Sequence, residues 1–379
     1  MDVLIVGAST RAAAHSALRA GLTPAAIDLF ADRDLKAVAR CARIDADAYP
    51  SGLIGASRNF PDGPVVYTGA AENFPEIVAA LSRDRLLWGN DAPTLRAVRH
   101  PLAVAETLRA AGLPGPEVRL DSSSIPRDGS WLRKPLASAA GLGIEPFGPE
   151  TGDRTTSGRG SYYQEWLEGE PLSAVFVGGR FGAVLVGISL QLIGRPCSEF
   201  AYRGNLAPWP VSLETRRQVA EVGDALTRAF GLVGFFGVDF VLNAKGPRPR
   251  VVEVNPRCPA SVEVLELATG VAWFDAHRSA CEGGDVHARP PASNRCVAKE
   301  VVFATESVVF DGPDIGPPPI ASETGRFAVP EAADLPEPGA RFEAGDPVVT
   351  VFGHGASSDE CLEVLANARR RWQSYCRAR

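Results

Sequence analysis

Lysine is scarce in this chain of 379 residues. Lysine and arginine together number 39, yet only Lys36, Lys134, Lys245 and Lys299 are lysine. In such a composition each surviving lysine invites a functional question. No apolar run reaches the roughly 18–20 residues that a membrane span needs, so no membrane partner is expected. The first residues lack a basic stretch ahead of their apolar run and read as a buried strand, not a signal peptide. The seven cysteines are odd in number, scattered and without a C-x-x-C pair, which argues against a disulfide framework or a structural zinc site. Reduced thiols point to a cytoplasmic location. The five histidines are dispersed and suggest neither a His-based metal site nor a Ser-His-Asp triad. A net charge of −6 gives no basic face for nucleic acid. The longest basic run, Arg369-Arg370-Arg371, reads as a solvated helix face.

What is present is ordinary globular composition, with 45% hydrophobic and 22% charged residues. Residues 2–7 form an apolar strand, followed by an alanine-rich helix to residue 19. Strands at 26–30 and 65–68 and helices at 32–39 and 75–82 continue a βαβ alternation, which implies a parallel sheet. A helix is expected over 93–111, ended by Gly112. Beyond residue 117 short strands appear at 131–134, 161–166, 174–177 and 182–191, separated by glycine-rich turns as in an antiparallel sheet. A helix at 213–230 precedes strong strands at 237–242 and 250–254, joined by the turn Lys245-Gly246-Pro247. Composition shifts again near 288–295. Strands at 298–304 and 348–352 and a last helix from Ser358 follow. The expected divisions are 1–98, 99–290 and 291–379.

Three constellations carry chemistry. Asp239 lies inside the apolar run Val238-Asp239-Phe240, and Glu253 ends the next strand in Glu253-Val254-Asn255-Pro256-Arg257. Paired as a hairpin, the two strands place both carboxylates on one face, with Asn255 two residues from Glu253 on that same face. Two carboxylates and an amide oxygen form a hard-oxygen set suited to Mg²⁺. Charges inside such apolar runs are costly without a partner. Second, the strand end Trp131-Leu132-Arg133-Lys134-Pro135 runs into the small-residue loop from Ala137 to Gly143. Backbone N–H groups of such a loop can approach phosphate oxygens, with the lysine adding a point charge. The Walker spacing is absent. Third, Gln164-Glu165-Trp166-Leu167 followed by Gly169-Glu170 carries an alternating strand into a turn.

In this order the three segments resemble the ATP-grasp superfamily over nearly the whole chain. The resemblance implies an ATP-grasp fold, with an N-terminal parallel βαβ domain over 1–98, an ATP-grasp domain over 99–290 and a small C-terminal β-rich element with a final helix. It implies Lys134 on phosphate and adenine, and a flap including Ala140, Gly141 and Gly143. Gln164, Glu165, Trp166 and Leu167 would form the adenine hinge, and Glu170 would take the ribose. Asp239, Glu253 and Asn255 would hold two Mg²⁺ ions, with Mn²⁺ as a permitted alternative. Arg257 would stabilise an acyl phosphate and its tetrahedral successor. Dimers are common in this superfamily.

Arg99 stands where relatives usually carry a second phosphate lysine, and a guanidinium fork is not an equivalent group. The segment from Phe200 to Pro208 resembles a loop near the acceptor pocket of some of these ligases, with Tyr202 and Arg203 as substrate contacts. Alternatively, Arg203 sits solvated on a surface turn. Gly7-Ala8-Ser9-Thr10-Arg11 lacks the glycines of a dinucleotide loop, with Ser9 and Ala12 in their place. The expected activity is therefore ATP-dependent carboxylate–amine ligation through an acyl phosphate, joining small-molecule carboxylate and amine substrates. It would act on an amino acid in cofactor or small-metabolite synthesis, in the manner of tyramine–glutamate ligation. The alternatives are an ATP-dependent carboxylase and a non-catalytic nucleotide-binding protein.

Overall fold

The computed structural model describes residues 1–113, 115–151, 160–195, 198–243, 246, 248–316, 320 and 326–378. Lys245 and Pro247 of the expected turn lie outside the described residues. Near the N-terminus, β1 (Val3–Val6), β2 (Pro24–Asp28), β3 (Arg40–Arg43) and β4 (Val65–Tyr67) form a parallel sheet in the order β3-β2-β1-β4. Its connections carry α1 (Arg11–Arg19), α2 (Arg33–Lys36) and α3 (Gly52–Ser57). The helix α4 (Pro75–Asp84) follows β4. Runs of β-branched and aliphatic residues such as Val3–Val6 are buried throughout, as expected for strands covered on both faces.

The helix expected over 93–111 is two helices, α5 (Ala92–Val98) and α6 (Pro101–Ala110). Pro101 has no N–H to continue the ladder, and it drives His100 out of helical geometry to φ −84° and ψ 112°. The corner leaves Arg99 at the C-terminal end of α5. A four-stranded sheet follows, built from β5 (Val118–Arg119), β6 (Trp131–Pro135), β7 (Glu145–Pro146) and β8 (Ser161–Glu165), in the order β5-β8-β6-β7.

Next come β9 (Glu170–Gly179), β10 (Gly182–Arg195) and β11 (Ser198–Ala207), then α7 (Leu213–Phe230), β12 (Gly234–Leu242) and β13 (Pro249–Asn255). The helices α8 (Ser261–Thr269) and α9 (Phe274–Cys281) precede β14 (Cys296–Phe303). Beyond it lie β15 (Val308–Phe310), β16 (Ala332–Ala333), β17 (Arg341–Phe342), β18 (Pro347–Gly355), α10 (Ser358–Gln373) and β19 (Cys376–Ala378). The large sheet has the order β13-β12-β9-β10-β11-β14-β18-β16, and all its pairings are antiparallel. The C-terminal strands β14, β18 and β16 therefore extend the same sheet that carries Asp239 and Glu253. The strands β17-β15-β19 form a small separate sheet.

Small residues let the N-terminal part approach the centre. Ala13, Ala14 and Ala17 of α1 are buried in one apolar cluster with Val262 and Leu265 of α8 and Phe274 of α9. On the opposite side α7 lies against the large sheet, where Gly223 meets Phe176. A Cβ at Gly223 would sit 2.3 Å from that ring. Gly223→Ala should therefore destabilise the protein by about 1–3 kcal/mol through overpacking, although alanine is the better helix former. Urea denaturation of the two proteins measures it, and a gain in stability would refute the close contact.

Candidate active site

A hairpin sets the centre of the site. Asp239 on β12 and Glu253 on β13 are direct cross-strand partners, and Asn255 pairs with Gly237. The Asn255 amide donates to Asp239 Oδ2 at 3.0 Å. A break in register between Asp239 and Phe240 marks an irregularity beside the acids, as is common near functional sites. Burial, and then the facing Glu253 charge, push the Asp239 carboxyl up to about 6. Burial would raise Glu253 too, but the charges of Arg99 and Lys134 outweigh it and hold the group below its ordinary value. Two opposed, half-buried carboxylates beside an amide oxygen call for a cation, and the donor set fits Mg²⁺. Among the described residues there is no group of three or more His, Cys, Asp or Glu side chains able to hold a metal. A metal here would rest on Asp239, Glu253 and Asn255 together with oxygens from water or nucleotide.

Three cations surround the hairpin. Lys134, at the end of β6, is buried and donates to Gln164 Oε1 at 3.1 Å and to the Val252 carbonyl at 3.2 Å. Its ammonium lies 5.6 Å from the Tyr162 ring centre. Burial alone would lower its pKa, but Tyr162, Glu253 and Asp239 more than compensate and keep it charged. Arg99 donates to Glu253 Oε1 at 2.8 Å, to Asn73 Oδ1 at 3.0 Å and to the Ser138 carbonyl at 3.4 Å. It thus ties the metal-ligand candidate to the start of the flap. Arg257 donates through Nε to Glu72 Oε1 at 2.9 Å and through Nη2 to Asn255 Oδ1 at 3.4 Å.

The flap is stitched to β11 at its tip. Tyr202 N donates to the Ala140 carbonyl at 2.9 Å, and a Cβ on Gly141 would lie 2.1 Å from the Phe200 carbonyl oxygen. Gly141 also has φ +69°, so two constraints demand glycine there. The hinge segment after β8 exposes Trp166, which packs edge-on against Phe200 at 6.1 Å.

One cavity of about 700 Å³ joins these parts. Its lining runs from Gln164, Glu165, Trp166 and Leu167 past Lys134, Ala140 and Gly141 to Asp239, Glu253, Asn255, Arg257 and Tyr202. Four of the sequence candidates do not line it. Glu170 accepts a hydrogen bond from Trp209 at 2.8 Å, and Arg203 pairs with Glu300 at 3.3 Å. Gly143 is outside the lining, and Arg99 lines a small adjoining pocket with Lys134 and Gln164.

The far wall of the cavity was not anticipated from sequence. It holds Arg11 of α1, Glu263 of α8, Lys299 of β14, and Asp334 with Thr350 of β18. Glu263 takes Arg11 on both oxygens and Lys299 on Oε2 at 2.8 Å. Arg11 also donates to Asp334 Oδ1 at 2.9 Å. Burial would raise the Glu263 pKa, but Arg11 and Lys299 drive it far below the ordinary carboxylate range. Lys299 sits in the apolar run Val297-Ala298-Lys299-Glu300-Val301, the same kind of signal that marked Asp239. Glu263 likewise interrupts the apolar run Val262-Glu263-Val264-Leu265, whereas Glu72 carries no such mark.

The fold built around this cavity is that of ATP-grasp structures. Residues 101–261 of the chain match the ATP-grasp domain family. It is 25% identical over 313 residues to the uncharacterised protein y4rH of Sinorhizobium fredii, covering 77% of this chain. The chain spans 64% of the length of that curated relative. It superposes on the L-amino acid ligase of Bacillus licheniformis with a TM-score of 0.70 and 15% identity, covering 99% of this chain and 98% of that one. The biotin carboxylase domain of Hydrogenobacter thermophilus 2-oxoglutarate carboxylase, solved with MgADP and bicarbonate, gives a TM-score of 0.73 at 13% identity, covering 99% and 90% of the respective chains. No helix among the described residues is long and apolar enough to cross a membrane.

Glu263→Gln should cost about 3–5 kcal/mol, because it leaves two buried cations short of charge. The sign of its pH dependence follows from the depressed pKa. The ionic contribution is fully present above the ordinary value of 4.5 and is lost as pH falls through the lower folded value. The stability gap between wild type and variant, measured by urea unfolding, should therefore shrink on acidification below that value. A gap that widens would contradict the ion network.

Proposed function

We propose that this protein is an ATP-dependent carboxylate–amine ligase that uses Mg²⁺ and forms an amide by way of an acyl phosphate. The observation that carries the reading is the single cavity in which the hinge, Lys134, the acid pair and Arg257 all meet. In this reading residues 1–98, 99–290 and 291–379 each contribute, through Arg11, through the nucleotide and metal residues, and through Lys299 and Asp334. The MgADP and bicarbonate bound to the Hydrogenobacter domain support the nucleotide assignment and keep a carboxylase as the alternative to be tested.

Trp166 and Leu167 would flank the base, and the backbone of the flap would face the phosphates. Asp239, Glu253 and Asn255 would hold Mg²⁺, which supplies charge neutralisation for phosphoryl transfer. Lys134 adds a fixed positive charge from a dry pocket, where it acts more strongly than in water. Arg257, aimed by Glu72, holds the substrate carboxylate and then the negative oxygen that develops when the amine attacks. Glu165, held by Arg250 at 3.0 Å, keeps the hinge strand in place. Arg99 restrains Glu253 until nucleotide competes for its guanidinium.

The test is ADP release from the full-length chain with ATP, Mg²⁺ and pools of amino acids and amines, glutamate with tyramine first, with and without bicarbonate. Release that requires both a carboxylate and an amine is expected. Release that requires bicarbonate and no amine would establish the carboxylase instead. Silence in every pool, together with no thermal stabilisation by Mg-ATP, would end the ligase reading.

Lys134→Ala should lower turnover at least about a hundredfold. Lys134→Arg should fail as well, because the pocket formed by Gln164, the Val252 carbonyl and the Tyr162 ring fits a compact ammonium and not a planar fork. Near-wild-type ADP release by the arginine variant would show that bulk charge is enough there.

A further inference from the structure

The flap is fastened at both ends by the protein's own atoms. At its base the Ser138 carbonyl accepts from Asn73 Nδ2 at 3.0 Å and from Arg99 Nη2 at 3.4 Å. Asn73 belongs to the N-terminal part, on the single turn Ala71–Asn73 that follows β4. At its tip the Ala140 carbonyl accepts from the Tyr202 N–H at 2.9 Å. Ser138 and Ala140 are two residues apart, so the stretch between the anchors spans at most roughly 7 Å. This short strap ties the N-terminal part to the large antiparallel sheet beside the cavity that Ala139, Ala140 and Gly141 line.

The tip contact depends on an irregularity in β11. Leu192 of β10 faces Gly204 and Ile193 faces Tyr202, so Arg203 stands as an extra residue between them. An insertion of this kind bends its strand and re-aims the backbone. Both backbone groups of Tyr202 find partners away from β10's main chain. The N–H goes to Ala140, and the carbonyl accepts from Arg195 Nε at 3.2 Å and Nη2 at 2.9 Å. The Arg195 guanidinium lies 3.6 Å from the centre of the Phe303 ring, which fixes this end of the hairpin against β14. On the flap side Ala140 and Gly141 are both left-handed, φ +55° and +69°. Gly141 lies against the Phe200 carbonyl with no room for a side chain. A bulge on one element and a left-handed pair on the other thus meet in one contact.

The two ends are unequal. The base has two donors, and one of them, Arg99, is also held by Glu253 Oε1 at 2.8 Å. The tip has a single backbone hydrogen bond, which breaks more readily.

We propose that residues 138–141 form a strap that these protein contacts alone close, that opens at its tip, and that sets the rate at which nucleotide enters the cavity. The proposal rests on the nucleotide reading of the cavity and not on the ligation chemistry. Hydrogen-exchange mass spectrometry on the full-length chain, without nucleotide, reads the tip contact directly. The Tyr202 amide should exchange at least about tenfold faster in Gly141→Ala than in wild type, while the amides of Asn205 and Leu206 stay protected in both. Stopped-flow binding of the fluorescent analogue Mg-mant-ATP reads the entry step, because association scales with the open fraction. Its association rate should rise at least about threefold in Gly141→Ala. Asn73→Ala, which removes a donor at the base and leaves the crowding at Gly141 untouched, should raise both rates at least about twofold. Loss of a phosphate contact would speed dissociation and could not speed association, so the association rate separates a gate from a missing contact. A Tyr202 amide that exchanges equally fast in wild type and both variants, or an association rate that rises in neither variant, overturns the strap. Failure of the wild-type protein to bind Mg-mant-ATP would instead overturn the nucleotide reading and leave the exchange comparison as the test of the strap.

Discussion

The arrangement depends on Glu263 accepting two cations that arrive from opposite ends of the chain. Arg11 comes from the first helix of the parallel sheet, and Lys299 from a strand of the large antiparallel sheet. A carboxylate buried this deeply is tolerable only with such partners. The same α1–α8 seam is repeated one turn on, where Glu266 accepts from Ser16 at 2.8 Å and Arg19 at 2.7 Å. The alanine face of α1 supplies the close approach, and the ion pairs fix its direction. The N-terminal sheet is thereby positioned so that the loop after β4 can offer Glu72 to Arg257.

The opposite end of the cavity solves a related problem with the charges reversed. There two acids of a hairpin face each other, and three cations are ranged around them without saturating them. Arg99 touches Glu253, Lys134 is held by an amide and a carbonyl, and Arg257 is turned partly toward Glu72. Among the described residues no cation is in direct contact with Asp239, and burial, followed by the facing Glu253 charge, raises its pKa. One end of the cavity is electrostatically closed, the other short of positive charge.

Much of this was legible in the sequence where a charge interrupts an apolar strand. Asp239 and Glu253 are marked that way, Lys134 by its place at a strand end before a small-residue loop, and the hairpin register puts the two acids opposite each other as their spacing implies. Lys299 gave the same signal, but with no second motif beside it no role could be assigned. Arg99 was noticed only as a replaced lysine. Its actual contact with Glu253 depends on the corner made by Pro101, a tertiary consequence of one residue within what reads as a continuous helix. Glu72 lies on a single 3-10 turn (Ala71–Asn73) and Glu263 inside an apolar helix, and their importance comes from what packs against them. Glu170 and Arg203 had plausible neighbours in sequence but find other partners, Trp209 and Glu300, in the folded chain.

The row of polar residues that crosses the large sheet has a consequence for assembly. Side chains alternate between faces, so a slip of one residue in any pairing would turn that strand's polar member to the other side. Asp239, Ser173, Asn205 and Lys299 would then be pressed among the aliphatic side chains beneath the sheet, where an unpaired charge is prohibitive. The residues that make the cavity chemically capable also make mispaired sheets unstable. Selection for the site and selection for correct strand register would act on the same positions, so a neutral substitution at Lys299 or Asp239 would loosen the fidelity of folding as well as the chemistry.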